Sequence, residues 1–227
     1  MTVQLTTLQK RMVSALVLVP VVLGVISFGG WPFVALLIVF AGLSLYEWIK
    51  LSLKTTHKYI FGSLGLVLIS ACFVSCYVIR ALEPDIALLF IVAIWVSDTG
   101  AYMIGKKFGK AKMAPKISPN KTWAGFAAAV LSPAILMMAR YLGEADFSDA
   151  FGMYVGLFLV GGLVGAFAQL GDLLASFLKR KANVKDSGGL IPGHGGILDR
   201  VDSMILASPA FVLSYMLLMV ILMGHGA

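Results

Sequence analysis

Long apolar runs dominate this sequence and restrict the chain to a fold that crosses a membrane. Of its 227 residues, 59% are hydrophobic and only 13% are charged. A helix of about 20 apolar residues crosses a hydrocarbon core about 30 Å thick, and the runs lack the alternation typical of barrel strands. We therefore expect an all-α polytopic membrane protein with about seven transmembrane helices. The expected spans are residues 12–28, 31–49, 60–79, 86–104, 122–142, 151–178 and 203–223.

Basic residues are distributed unevenly between the connections of these spans. Of the 18 lysines and arginines, 16 lie in segments on the same side as the N-terminus, and only Arg80 and Arg140 lie on the other side. The positive-inside rule then predicts a cytoplasmic N-terminus and a C-terminus outside. The net charge of +7 would attract anionic lipid headgroups and nucleotides at the cytoplasmic face. We expect no nucleic-acid partner for so apolar a chain.

Residues 176–203 combine cations, carboxylates and glycines within this apolar chain. Ammonium and guanidinium groups neutralise phosphate oxygens, carboxylates hold divalent cations, and glycines let backbone N–H groups approach an anion closely. The segment therefore predicts a metal and phosphate site for a nucleoside triphosphate. Its charged residues include Lys179, Arg180, Lys181, Lys185, Arg200, Asp186, Asp199 and Asp202.

The connection 105–121 is a second polar segment and holds six lysines. These lysines either only retain the loop in the cytoplasm or bind phosphate. Residues 118–122, Ser-Pro-Asn-Lys-Thr, are expected to form a turn into the fifth span. The N-terminus of that helix would offer free N–H groups to a phosphate.

Four carboxylates are expected at one edge of the membrane. Asp98 lies inside the fourth span and Asp172 near the end of the sixth, where an ionisable group marks either function or a structural pair with lysine. Asp199 and Asp202 are expected on one helix face at the start of the seventh span. Such carboxylates suit Mg²⁺, whereas no Cys or His cluster has zinc-ligand spacing. His194 is equally well interpreted as a phosphate contact or as a turn residue.

At these residues the chain closely resembles the phosphatidate cytidylyltransferases, also called CDP-diacylglycerol synthases. That family's signature has a Ser, then Lys-Arg, Lys-Asp, a Pro-x-His-Gly-Gly element and Asp-Arg-x-Asp. The matching residues here are Ser176, Lys179, Arg180, Lys185, Asp186, Pro192, His194, Gly195, Gly196, Asp199, Arg200 and Asp202. The resemblance extends from about Trp95 to the C-terminus, while the N-terminal third matches only as apolar spans.

The resemblance implies an enzyme that joins CTP and phosphatidate to give CDP-diacylglycerol and pyrophosphate, with Mg²⁺ as cofactor. It implies metal-binding carboxylates at Asp172 and Asp199, with which we group Asp202. The catalytic residues expected are Asp98, Lys121, Lys179, Arg180, Lys185, Asp186 and Arg200. The substrate-binding residues expected are Ser118, Asn120, Thr122, Ser176, His194, Gly195 and Gly196.

The same resemblance implies a multi-pass protein of a bacterial-type inner membrane, in contact with membrane lipids and with its active site facing the cytoplasm. We expect one integral membrane domain over residues 1–227. Its N-terminal helices would lie in 1–85 and its catalytic core in 86–227, with cytoplasmic loops at 105–121 and 179–202. Whether the protein forms a homodimer stays open.

Two other classes of protein compete with this interpretation. In a secondary transporter or channel, Asp98 and Asp172 would be ion or proton sites, but no internal repeat is detected and the polar residues cluster at one face. A CTP-dependent lipid kinase, such as a polyprenol kinase, would share a nucleotide-binding surface but transfer the γ-phosphoryl group.

Overall fold

The computed structural model describes residues 7–142, 147–190 and 195–225, and nearly all of them are helical. A backbone within a membrane must satisfy its own hydrogen bonds, which favours helices for the apolar runs. The helices are α1 (Thr7–Phe28), α2 (Gly30–Ser52), α3 (Lys58–Leu82), α4 (Pro84–Phe108), α5 (Trp123–Arg140), α6 (Phe147–Lys181), α7 (Leu198–Val201) and α8 (Met204–His225). The prediction of an all-α polytopic fold is confirmed.

Six helices in the described ranges are long and apolar enough to cross a membrane. They correspond to the second through seventh expected spans. In α1, which covers the first expected span, the apolar part Val19–Phe28 is shorter. The chain divides into a first compact unit, Met1–Leu88 with Ala175–Asp202, and a second, Leu89–Leu174 with Ser203–Ala227.

In the first unit, α2 and α3 pack side by side through a buried tryptophan. The indole of Trp48 is fully buried and donates a hydrogen bond to the carbonyl of Phe61 over 2.7 Å. Gly65 of α3 lies against the same ring, where a Cβ atom would clash with it. This packing fixes the end of α2 that carries Glu47.

In the second unit, α5 and α6 approach closely because α6 has glycines at the contact. A Cβ atom at Gly161 would clash with the carbonyl of Pro133, and one at Gly165 with the carbonyl of Ala129. Small residues at such positions permit close contact between helix backbones. The tight pair positions Gln169 and Asp172, which follow on α6.

A short hairpin precedes α5, where a turn is expected from the sequence. Strands β1 (Lys112–Ala114) and β2 (Ser118–Thr122) pair antiparallel, so the prediction of a turn at 118–122 is wrong. Pro119 is tolerated because a two-stranded ribbon consists of edge strands, where a missing N–H has no obligatory partner. At the end of β2, Thr122 Oγ1 accepts a hydrogen bond from the Gly125 amide over 3.1 Å and caps α5.

Replacing Gly165 with alanine is expected to destabilise the second unit. The new methyl group would meet backbone atoms of α5, which cannot move without displacing the helix, so we expect a loss of about 1–3 kcal/mol. Gly152→Ala is the matched control on α6, because nothing lies within 4 Å of a Cβ atom there. Thermal unfolding in detergent measures both variants. Equal melting temperatures for the two would contradict the close α5–α6 contact.

Candidate functional site

The first polar cluster lies in the second unit around Lys121 of β2, and we call it the Lys121 cluster. The ammonium of Lys121 lies 2.8 Å from Asp172 Oδ2 on α6. It also donates to the side-chain oxygen of Gln169 over 2.8 Å and to the Gln169 carbonyl over 3.2 Å. Three oxygen atoms of one helix therefore surround Lys121, the next-to-last residue of β2.

Asp98 of α4 joins the Lys121 cluster through Gln169. The amide nitrogen of Gln169 donates to Asp98 Oδ1 over 3.1 Å, and the Ser203 hydroxyl donates to the same carboxylate. Gln169 is buried, at 5% exposure, so its two ends are held by Asp98 and Lys121. Asp98 thus orients Lys121 through one intervening side chain, and the cluster combines residues of α4, α6 and β2 with Ser203, which precedes α8.

The second polar cluster lies in the first unit around Lys179 of α6, and we call it the Lys179 cluster. The ammonium of Lys179 lies 2.7 Å from Asp199 Oδ1 and 3.8 Å from Asp202 Oδ2. All three side chains are largely buried, with exposures of 10%, 10% and 14%. Asp199 and Asp202 therefore lie on one side, as expected. The assigned helices α7 and α8 are interrupted at residues 202–203, but Asp202 keeps a helical backbone conformation.

The chain reverses direction at the end of α6, which brings the following residues back toward Lys179. Asn183 has a left-handed backbone with φ of 56°, and the Val184 amide donates to the Lys179 carbonyl over 2.9 Å. This pattern is a Schellman motif, which satisfies the last carbonyls of a helix and reverses the chain. Arg180 supports it, because its guanidinium donates to the Val184 carbonyl over 3.1 Å.

The second oxygen of Asp199 is held by the segment that follows this reversal. Asp199 Oδ2 accepts hydrogen bonds from the Ser187 amide and hydroxyl, both over 2.9 Å, and from the Gly196 amide over 3.1 Å. Gly195 has a φ of 83°, and a Cβ atom there would lie 2.9 Å from the same oxygen. A residue with a side chain at position 195 would therefore be strained. Both oxygens of Asp199 are thus oriented by identified donors.

Each cluster places two carboxylates around one lysine. Asp172 contacts Lys121 directly and Asp98 reaches it through Gln169, whereas Asp199 and Asp202 both face Lys179. Mg²⁺ prefers one or two carboxylates together with phosphate oxygens and water, so this donor set fits it.

No group of three or more His, Cys, Asp or Glu side chains in the described residues is close enough to hold a metal ion by itself. Substrate oxygens and water would therefore have to supply the remaining ligands. The metal role of Asp172, Asp199 and Asp202 stays a prediction.

The other expected site residues occupy different environments. Lys185, Asp186, Arg200 and Asn120 are exposed, and Ser118 and Ser176 are half-buried. Thr122 is buried and caps α5; Gly196 is buried and donates to Asp199. His194 and Pro192 lie outside the described residues. Contact of these residues with a substrate stays a prediction.

Two residues of the first unit belong to the site but are not expected from the sequence. Glu47 of α2 is buried, at 2% exposure, and accepts hydrogen bonds from the Ser187 hydroxyl and the Leu198 amide over 2.8 and 2.9 Å. A carboxylate inside an apolar run is a signal for Glu47, as it is for Asp98. Ser187 has no comparable signal, since its role depends on contacts with distant residues.

Similarity to known proteins covers most of this chain. Residues 53–218 match the model of the cytidylyltransferase family. The phosphatidate cytidylyltransferase of Rickettsia felis is 35% identical over 205 residues, covering 88% of both chains. That of Rickettsia bellii is 37% identical over 216 residues, covering 91% of this chain and 90% of the relative. That of Bacillus subtilis is 42% identical over 153 residues, covering 66% and 55%. The chain belongs to the cytidylyltransferase family.

Replacing Lys121 with methionine is expected to destabilise the protein. Asp172 and Gln169 would lose their shared donor, and we expect a loss of about 1–3 kcal/mol for a hydrogen bond to a charged group. Lys116→Met is the control, because it removes the same charge from an exposed position of the hairpin. Thermal unfolding in detergent should show a lower midpoint only for Lys121→Met. A midpoint equal to that of the control would mean that the Lys121 cluster adds no stability.

Proposed function

We propose that this protein is a phosphatidate cytidylyltransferase, which transfers the cytidylyl group of CTP to phosphatidate in phospholipid synthesis. The products are CDP-diacylglycerol and pyrophosphate. The observation that carries the proposal is the match to relatives with that activity in their names over 88% to 91% of the chain. The Lys179 cluster supports it, because it brings the lysine and two carboxylates of the signature together in an otherwise apolar protein.

The proposed reaction is an in-line displacement at phosphorus. A phosphate oxygen of phosphatidate forms a bond with the α-phosphorus of CTP, while the bond from that phosphorus to the oxygen that bridges to the β-phosphate breaks. Pyrophosphate leaves with the bonding electrons. Because the nucleophile is already an anion, the protein needs to position the reactants and offset their repulsion rather than remove a proton.

The residues divide into two groups for these tasks. The exposed cations Arg180, Lys185 and Arg200 are suited to neutralise phosphate oxygens. Lys121 and Lys179 instead hold carboxylates in defined positions. Asp172, Asp199 and Asp202 would hold Mg²⁺, which when bound offsets the negative charge on the phosphate oxygens.

The location of the site suits both substrates. CTP is water-soluble, whereas the acyl chains of phosphatidate remain in the bilayer. The relatives named above are bacterial, and we propose that the protein lies in the inner membrane with its site facing the cytoplasm. The charge distribution supports this orientation, because most basic residues lie on one side. A homodimer stays a prediction.

Product analysis tests the activity directly. CTP labelled in the cytosine ring, incubated with purified protein, phosphatidate and Mg²⁺, is expected to yield a lipid-soluble labelled product together with pyrophosphate. Release of labelled CDP and a phosphorylated lipid would instead identify a lipid kinase. Ion or solute uptake into liposomes without CTP turnover would identify a transporter.

Replacing Asp199 with asparagine is expected to lower the rate of CDP-diacylglycerol formation by about 100-fold or more, which corresponds to about 2.7 kcal/mol of activation free energy. Asparagine keeps an oxygen for the donors of the loop but loses the charge that would attract a cation. Asp85→Asn is the matched control at an exposed position at the start of α4. A normal rate for Asp199→Asn at limiting Mg²⁺ would refute the metal role of Asp199.

A further inference from the structure

Glu47 is a buried acid that the proposed reaction does not use. Its side chain belongs to α2, and its carboxylate is enclosed by the loop that leads into α7. One oxygen, Oε2, accepts the hydrogen bonds from Ser187 and Leu198. The other, Oε1, has no hydrogen-bond partner among the described residues. Burying a carboxylate is costly, so its presence here requires a compensating role.

The backbone of the loop is shaped around this carboxylate. A Cβ atom at Gly188 would clash with Glu47 Oε1, and one at Gly196 would clash with both Glu47 oxygens and with Ser187 Oγ. The two glycines therefore allow both ends of the loop to contact the Glu47 carboxylate. The Glu47 carboxylate is buried and packs against the loop backbone, so it is not exposed to a substrate in solution.

Ser187 connects Glu47 to Asp199. Its hydroxyl oxygen lies 2.8 Å from Glu47 Oε2 and 2.9 Å from Asp199 Oδ2. A serine hydroxyl has only one proton, so the two carboxylates compete for it. When Glu47 accepts that proton, the backbone amides of Ser187 and Gly196 still donate to Asp199 Oδ2. The two amides then orient the Asp199 carboxylate, whose other oxygen faces Lys179.

We propose that Glu47 is a positioning residue that holds the described parts of the loop, residues 187–190 and 195–198, and thereby orients the Asp199 carboxylate. The inference rests on the proposed function in one respect, since Asp199 is taken as a ligand of Mg²⁺. The geometric part is independent of that function, because every contact invoked lies within the protein. The role proposed for Glu47 is to act through Asp199 rather than by its own contact with a substrate or cation.

Hydrogen exchange tests the geometric part without CTP, lipid or Mg²⁺. Glu47→Ala removes the acceptor for the Leu198 amide, and exchange in peptides that contain Leu198 should accelerate by about tenfold, the equivalent of one lost hydrogen bond. Glu47→Gln keeps one carbonyl oxygen in place and should remain near the wild-type rate. Ser44→Ala is the matched control, because Ser44 is also buried on α2 and its hydroxyl has no hydrogen-bond partner among the described residues.

Two outcomes of the exchange measurement would overturn the proposal. One is an unchanged rate in Glu47→Ala. The other is equal acceleration in Glu47→Ala and Ser44→Ala, since any disturbance of α2 would then be sufficient. If Glu47→Ala does not fold, Ser187→Ala tests the same link from the loop side and should accelerate exchange in peptides that contain Gly196. An unchanged rate in that variant would also overturn the proposal.

A double-mutant cycle tests whether Gly188 faces Glu47. The nearest atoms to a Cβ at position 188 all belong to Glu47, so Gly188→Ala should lower the melting temperature in the wild type. In the Glu47→Ala background the same change should have little effect, because the clashing side chain is gone. Equal shifts in both backgrounds would show no coupling between the two positions and would contradict the proposed fit.

Kinetics separate positioning from simple loss of folded protein. If Glu47 orients Asp199, Glu47→Ala should raise the Mg²⁺ concentration for half-maximal CDP-diacylglycerol formation by about tenfold, in the range found for groups that support metal ligands. Glu47→Gln should restore it. Loss of folded protein would lower the rate by one factor at every Mg²⁺ concentration, and that result would overturn the inference. An inactive wild-type protein with the expected exchange pattern would refute only the proposed function.

Discussion

The pairing of buried carboxylates with donors from other parts of the chain is the constraint on which this structure depends. A carboxylate in an apolar surrounding is unfavourable unless it is neutralised or hydrogen-bonded. Lys121 serves Asp172 directly and Asp98 through Gln169. Lys179 serves Asp199 and Asp202. The polar groups that we propose for phosphate chemistry are therefore also the groups that hold their own helices and loops in place.

The apolar part of the protein serves these clusters through close contacts. Glycines of α6 allow α5 to approach. Thr122 ends the hairpin and caps α5, and this cap holds the neighbouring residue Lys121 near the start of the helix. In the first unit, Trp48 packs against α3 next to Glu47. Rigid helices thus determine where each charged side chain lies, which is the condition for catalysis by positioning.

The helices could be predicted from the sequence because a membrane imposes their length. The expected span 60–79 lies within α3, Lys58–Leu82, and the observed helix extends beyond it because helical hydrogen bonds do not end where apolar residues end. The hairpin at 112–122 could not be predicted, since its strands are short and polar. The charged residues were identified by type and spacing. Only the fold shows that Asp199 and Asp202 contact Lys179 and that Asp172 contacts Lys121.

The contacts of Glu47 could not be predicted from a single sequence. It is separated from Ser187 by 140 positions and from Leu198 by 151, and no local pattern encodes such contacts. Its burial beside two glycines is a property of the assembled first unit. A lone acid in an apolar run indicates only that some partner exists.

We propose that the acids that contact lysines in each cluster also bind divalent cations when CTP is present. Titration of Mn²⁺ into the protein with CTP, followed by electron paramagnetic resonance, measures that binding directly. We expect Asp172→Asn and Asp199→Asn each to weaken Mn²⁺ binding by about tenfold or more, as for loss of a group that fixes a metal site. Wild-type affinity in both variants would contradict the account.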